Sequence, residues 1–176
     1  MKRTKIDIPL KKIKYIHHIS DVHIRNLKRH AEYEQVFETC KKHPNITYHG
    51  FQPHDKIVDA LGKAHIFAFP SIWVETSCLA AIEAMSAKCL TVTNNLGALP
   101  ETCANFASMY QFTEDGQKHV NRFASILNNT INVMKNNNGW QNQLDVQKNY
   151  FDNFYSWDFR AKEWDLLLKG LSDGSQ

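Results

Sequence analysis

Two glutamates, eight residues apart near the middle of a 176-residue chain, are the side chains best spaced to do chemistry. Glu75 and Glu83 fall within residues 67–101, FAFPSIWVETSCLAAIEAMSAKCLTVTNNLGALPE. Eight residues are a little over two helical turns, so helical positions at that separation share roughly one face, about 12 Å apart along the axis. Glu75 itself is expected in the loop just ahead of the first turn. Two carboxylate acceptors so spaced suit an elongated, hydroxyl-rich ligand whose middle rests on the unpaired N–H groups of a helix start. For the two acids alone a blander description is the better one: an N-terminal acid favoured by the helix dipole, and one solvated glutamate.

The elements needed to position them are legible on either side. An apolar, aromatic run stops at Pro70 and reads as a buried strand. Thr76 and Ser77 are small polar residues suited to starting a helix. Leu79, Ile82 and Met85, with Ala80, Ala81, Ala84 and Ala87 around them, make that helix closely packable through about Lys88. A second apolar strand over 90–93 leads into Asn-Asn-Leu-Gly, a turn signal, and then Leu99-Pro100-Glu101. Strand, helix, strand is a βαβ unit of a parallel sheet, whose ligands bind at the carboxyl ends of the strands against helix N-termini.

The runs P-S-x-x-x-E-T-S-C-L-x-x-I-E-A-M-x-A and T-V-T-N-N-L-G-A-L-P-E resemble the nucleotide-sugar site of retaining GT-B glycosyltransferases of family 4. The match extends more weakly over about 43–170. The resemblance implies a Rossmann-like parallel sheet flanked by helices, one half of a GT-B fold. It implies that Glu83 holds the ribose hydroxyls of the donor and that Glu75, the candidate catalytic residue, holds the sugar hydroxyls. Backbone amides over 76–79 (Thr76, Ser77, Cys78, Leu79) would lie near the sugar and diphosphate, with Ser71 and the Gly50-Phe51 loop completing the nucleotide-sugar site. The donor would be a UDP-, GDP- or ADP-sugar, with no tightly bound cofactor. Two positions depart from the family pattern: Lys88 stands where Gly is usual, and Leu90 where Pro is usual. Both lie at the helix-to-strand turn and bear on local geometry more than on ligand contacts.

Composition sets outer bounds. With 43% apolar and 22% charged residues the chain is an ordinary globular protein, long enough for one domain with a sizeable core. A net charge of +3 is too mild to argue for nucleic acid. The four cysteines show neither metal-ligand spacing nor a disulfide framework, so reduced thiols and a cytoplasmic location are expected. No run approaches the apolar length of a transmembrane helix, and the basic N-terminus lacks the apolar core of a signal peptide.

The first forty residues carry a second resemblance. Residues 1–12 form a basic lead-in, expected to be loosely ordered. A strand over 13–19 and a helix over 29–42 follow. The run IHHISDVHIRNLKRHAEYEQVFE resembles the opening of a calcineurin-like metallophosphoesterase, in which an Asp-x-His at the end of the first strand supplies metal ligands. Asp21 and His23 are the matching positions, and strand alternation puts both on one face. Two-metal hydrolysis needs further ligands. The family's Gly-Asp-x-x-Asp, Gly-Asn-His-Glu and late Gly-x-His do not occur in this chain, so no metal site is expected. Residues 12–40 are thus either a metallophosphoesterase fragment joined to a glycosyltransferase half-domain or a coincidentally similar βα unit. The Arg/Lys pair that usually neutralises the donor diphosphate has no secure place; Arg25, Lys28 and Arg29 are bases in a different motif.

The remaining expectations are a strand over 45–50, a short helix over 56–63 capped by Asp55, and a strand over 107–112. Helices follow over 117–135, over 141–154 and, capped by Ser156, over 157–171, with a tail over 172–176. The glycosyltransferase-like domain is taken as 43–171. In the resembled family the last helix crosses to the acceptor-binding N-terminal domain. Packing on the domain's own core is the commoner role for its stripe of Phe159, Trp164, Leu167 and Leu168. A two-domain enzyme of this kind does not fit in 176 residues, so the chain reads as a donor half, with its N-terminal partner domain and a glycan or other acceptor still required. Two readings stand beside it: a metallophosphoesterase-like hydrolase remnant, and a non-catalytic interaction module derived from a glycosyltransferase.

Overall fold

The computed structural model describes residues 2–4, 15–16, 37–50, 52–136 and 139–173. The expected strands and helices of the central unit are present, with β4 at Ile66–Phe69, α3 at Leu79–Ser86 and β5 at Leu90–Asn94. Before them come β1 (Lys2–Thr4), β2 (Tyr15–Ile16), helix α1 over 37–42, β3 (Ile46–Tyr48) and α2 (His54–Leu61). After them come α4 (Leu99–Cys103), β6 (Ser108–Tyr110), α5 (Gly116–Asn136), α6 (Trp140–Phe154) and α7 (Trp157–Asp173).

The main sheet is wholly parallel, in the order β2-β4-β5-β6. With helices on both faces the chain is α/β and Rossmann-like. Strand alternation divides the core cleanly. Ile66 and Ala68 of β4, with Leu90 and Val92 of β5, face Leu127 and Ile131 of α5 and Leu144 of α6. Phe67 points the other way, into a cluster with Leu61 of α2, Ala81, Ala84 and Met85 of α3, Leu99 and Cys103 of α4, and Phe151 of α6. Strand β5 is buried along its whole length, as its place between two neighbours requires.

Several elements differ from expectation. Strand β3 is not in the parallel sheet; it pairs antiparallel with β1, which lies in the segment expected to be a loose lead-in. Helix α2 starts at His54 with Pro53 as its N-cap, so Asp55 sits in the first turn instead of capping. The stretch after Gly97 is a short helix, α4, with Pro100 at its second position, where a missing N–H costs nothing. Helix α7 is the largest correction: it buries no residue, and Phe159, Trp164, Leu167 and Leu168 are all exposed. Its attachment runs through α6, where the Arg160 guanidinium lies 3.9 Å from the Phe154 ring centre and Ser156 Oγ accepts from Phe159 N–H at 3.2 Å.

Helix α6 holds the far end of α3. Gln147, fully buried, donates from Nε2 to the carbonyls of Met85 (3.0 Å) and Cys89 (3.1 Å). Lys148 Nζ donates to the Ser86 carbonyl at 3.1 Å, a cation on the negative end of the helix dipole. The end of α3 closes as a Schellman turn: Cys89 N–H reaches the Ala84 carbonyl (2.8 Å) and Lys88 N–H the Met85 carbonyl (3.1 Å). That turn puts Lys88 at φ +60°, the left-handed conformation for which Gly is the natural residue. Its ammonium is paired with Asp145 of α6.

Candidate functional site

The carboxyl ends of β4 and β5 open into two loops, 70–78 and 95–98, which are tied together before α3 begins. Asn94, the last residue of β5 and fully buried, donates from Nδ2 to the Ser71 carbonyl at 2.6 Å. Its Oδ1 accepts from Leu96 N–H at 2.9 Å, so one amide side chain fixes both loops. Ser71 Oγ in turn accepts from Trp73 N–H (3.1 Å) and donates to the Trp73 carbonyl (3.2 Å). Ser71 is only 7% exposed, whereas Trp73, which it brackets, is 61% exposed.

Gly97 sits directly against Glu75. Its φ of +59° is the left-handed region, and a Cβ there would stand 2.6 Å from the Glu75 carbonyl oxygen and 2.8 Å from the Glu75 nitrogen. The next residue, Ala98, donates its N–H to the Glu75 carbonyl at 2.8 Å. The Asn-Asn-Leu-Gly turn thus clamps the backbone of the candidate catalytic glutamate. The Glu75 side chain is half-buried, and this burial raises its pKa above the ordinary carboxylate value.

Thr76 and Ser77, expected to open the helix, are exposed loop residues; the N-cap is Cys78, with extended backbone at φ −102° and no side-chain cap hydrogen bond. Cys78 is buried and its thiol is pushed up to about 11, burial outweighing the opposing pull of the Ala81 and Ala80 amides. Apolar packing drives this choice: a buried thiol at the cap joins Ala81, Ala84 and Met85 in the core, which Thr76 or Ser77 could not do. Leu79 opens α3 and is 70% exposed. Among the described residues Cys78 makes no side-chain capping hydrogen bond at the start of α3, which follows Glu75 by four residues.

Glu83 lies one turn from the end of α3 and is met by an unexpected partner. His54, the first residue of α2, places Nε2 2.6 Å from Glu83 Oε1. The hydrogen bond to Glu83, followed by its charge, raises the His54 pKa above 6.5. The contact joins the first turn of α2 to α3 at Glu83. Gly50 is described, at φ +63°, and the following loop is held by Gln52 Nε2 donating to the His49 carbonyl at 2.7 Å. Phe51, Asp21 and His23, and the bases Arg25, Lys28 and Arg29, lie outside the described residues. Among the described residues no three of His, Cys, Asp and Glu gather to hold a metal ion, and no helix is long and apolar enough to cross a membrane.

Sequence reasoning did not foresee the contacts that His54, Asn94 and Gly97 make with Glu83, Ser71 and Glu75. Gly97 carried a local signal in its turn motif. Asn94 stands in the same turn motif, but its bond to Ser71 spans 23 residues and that of His54 to Glu83 spans 29, and neither pairing leaves a local trace.

A parallel sheet flanked by helices on both faces defines a Rossmann-like α/β domain. The family described as Glycosyl transferases group 1 matches residues 10–142, three quarters of the sequence, and the chain belongs to that family. The matched stretch includes the segment that resembles a metallophosphoesterase opening. A shorter likeness, 60% identity over 30 residues, links the chain to "Uncharacterized protein R555" of Acanthamoeba polyphaga mimivirus; it covers 17% of this chain and 2% of that protein.

Proposed function

We propose that the chain is the donor-binding half of a retaining family 4 glycosyltransferase, moving a hexose from a nucleotide-sugar to a glycan or other acceptor. The family carries the transfer of a sugar; the finer reading rests chiefly on one observation. The Gly97–Ala98 turn holds the Glu75 backbone just ahead of α3, while His54 at the head of α2 reaches Glu83 on that helix. In this reading Glu83 accepts from the ribose hydroxyls, Glu75 from the sugar hydroxyls, and the amides from Thr76 to Leu79 face the sugar and diphosphate, favoured by the helix dipole. The acceptor side of the cleft belongs to an N-terminal partner domain, and four free thiols, three of them buried, suit a cytoplasmic setting.

Calorimetric titration with UDP, GDP and ADP at low salt tests the donor site. A carboxylate hydrogen bond to a neutral donor contributes about 1.5–3 kcal/mol, so Glu83→Gln should weaken the preferred nucleoside diphosphate by about tenfold or more, while Glu75→Gln spares it. Glu75→Gln should instead weaken the corresponding sugar nucleotide. No heat with any of the three from folded protein sinks the reading, and equal losses for both variants would show the roles wrongly divided.

A further inference from the structure

His54 is the one described side chain outside the α3 region that touches a candidate ligand-binding carboxylate, and no family motif quoted above includes it. It comes from α2, an element the βαβ unit does not need in order to form its sheet. We propose that His54 is a positioning residue for the donor nucleotide: it anchors one oxygen of Glu83 so that the other stays turned towards the ribose hydroxyls.

The argument starts from the conformational freedom of a glutamate on a short helix. Glu83 is the fifth residue of the eight in α3, and its side chain is about one-third exposed. Left alone it would sample several rotamers in water, and binding a diol through it would require ordering that chain, at a cost in conformational entropy. His54 removes part of that freedom beforehand. The imidazole Nε2–H donates to Oε1 at 2.6 Å, which takes up one carboxylate oxygen and leaves Oε2 as the acceptor for a ligand. The arrangement has the logic of a histidine oriented by a carboxylate, with the roles exchanged.

Charge works in the same direction. The carboxylates acting on the imidazole are Glu83 across the contact and Asp55 next to it in sequence, and both favour its protonated form. Protonated His54 would hold the Glu83 carboxylate through a charge-assisted hydrogen bond. It is also exposed on its far side, so a ligand approaching the α2–α3 junction meets the ring without displacing protein.

The inference rests on the donor-site reading above, and the experiment separates the two. UDP, GDP and ADP are titrated into the wild-type chain, and the tightest binder is paired with its 2′,3′-dideoxy counterpart, which lacks the ribose diol. His54→Ala should weaken the ribonucleotide roughly threefold to tenfold and leave the dideoxy ligand within about twofold. His54→Gln, whose amide N–H reaches to a similar distance, should restore the ribonucleotide to within about twofold of wild type. A merely structural role would weaken both ligands alike. Equal weakening, no weakening in His54→Ala, or no rescue by His54→Gln would each overturn the proposal. Should Glu83→Gln leave nucleotide binding intact, the donor-site reading fails and this inference with it. Should Glu83→Gln weaken binding while His54→Ala does not, only this inference fails.

Discussion

Replacing Gly97 by alanine adds one carbon and tests the central feature of the site. Two costs can be worked from the geometry. The first is conformational: an L-residue held at φ +59° pays about 1–2 kcal/mol. The second is steric. The new Cβ would lie 2.6 and 2.8 Å from backbone atoms of Glu75 and 3.1 Å from Val74 Cγ1, so a flexible side chain swinging aside cannot relieve it. Forcing a methyl group into a packed site costs typically about 1–3 kcal/mol. Together Gly97→Ala should lose about 2–5 kcal/mol in urea unfolding, a large share of the stability of an ordinary domain. Gly50→Ala is the matched comparison: its φ is +63°, yet none of the described residues comes within 4 Å of its Cβ, so the conformational cost of about 1–2 kcal/mol is the one expected. What survives folded as Gly97→Ala must also have moved the 70–78 loop, and its affinity for a sugar nucleotide should fall further than its affinity for the nucleoside diphosphate. If the two alanine variants lose the same stability to within about 0.5 kcal/mol, the clamp on Glu75 is not what Gly97 provides.

At the opposite end of α3, Lys88→Gly should be neutral to stabilising by about 1 kcal/mol, because release of the left-handed strain competes with loss of a half-exposed ion pair to Asp145. Lys88→Ala loses the pair and keeps the strain, so it should be the less stable of the two by urea unfolding; the reverse order would refute the turn's assignment. Burial pushes the thiols of Cys89 and Cys103 up to about 12 and that of Cys78 up to about 11, so at pH 8 all three are protonated and unreactive in the folded chain. A colorimetric thiol titration should find Cys40, half-buried, reacting first and the other three only with unfolding; a second fast thiol would show that the α3–α4 core opens readily.

Local pattern carried much of this fold. The buried strands β4 and β5, the alanine-rich α3 and the three closing helices all follow from apolar spacing and turn residues. The start of α3 did not, because polar propensity at Thr76 and Ser77 lost to the packing of the Cys78 thiol. Strand β3 could not be assigned to its own pair with β1, since pairing between residues more than forty positions apart leaves no periodic trace. Helix α7 has an apolar stripe that reads like any core helix, and spacing alone does not reveal that Phe159, Trp164, Leu167 and Leu168 stay exposed in the described structure. At the site, Glu75 and Glu83 stood out by type and spacing. The groups around them, Asn94, Gly97 and His54, act through tertiary contact; Asn94 and Gly97 announced themselves in a turn, and His54 did not.

Helix α6 sends Leu144 into the layer on one side of the sheet and Phe151 into the layer on the other, with Gln147 between them holding the end of α3. A single rigid rod shared by both layers couples them mechanically: neither face can loosen without tilting the rod and so disturbing the other. Opening should therefore occur as one event, and slowly exchanging amides on α3 and α5 should share one protection free energy. The family match ends at residue 142, two residues past Trp140, at which α6 begins. The cooperative unit is consequently longer than the recognisable sequence signature. A boundary drawn at the signature would cut the pin that fastens both sides of the sheet.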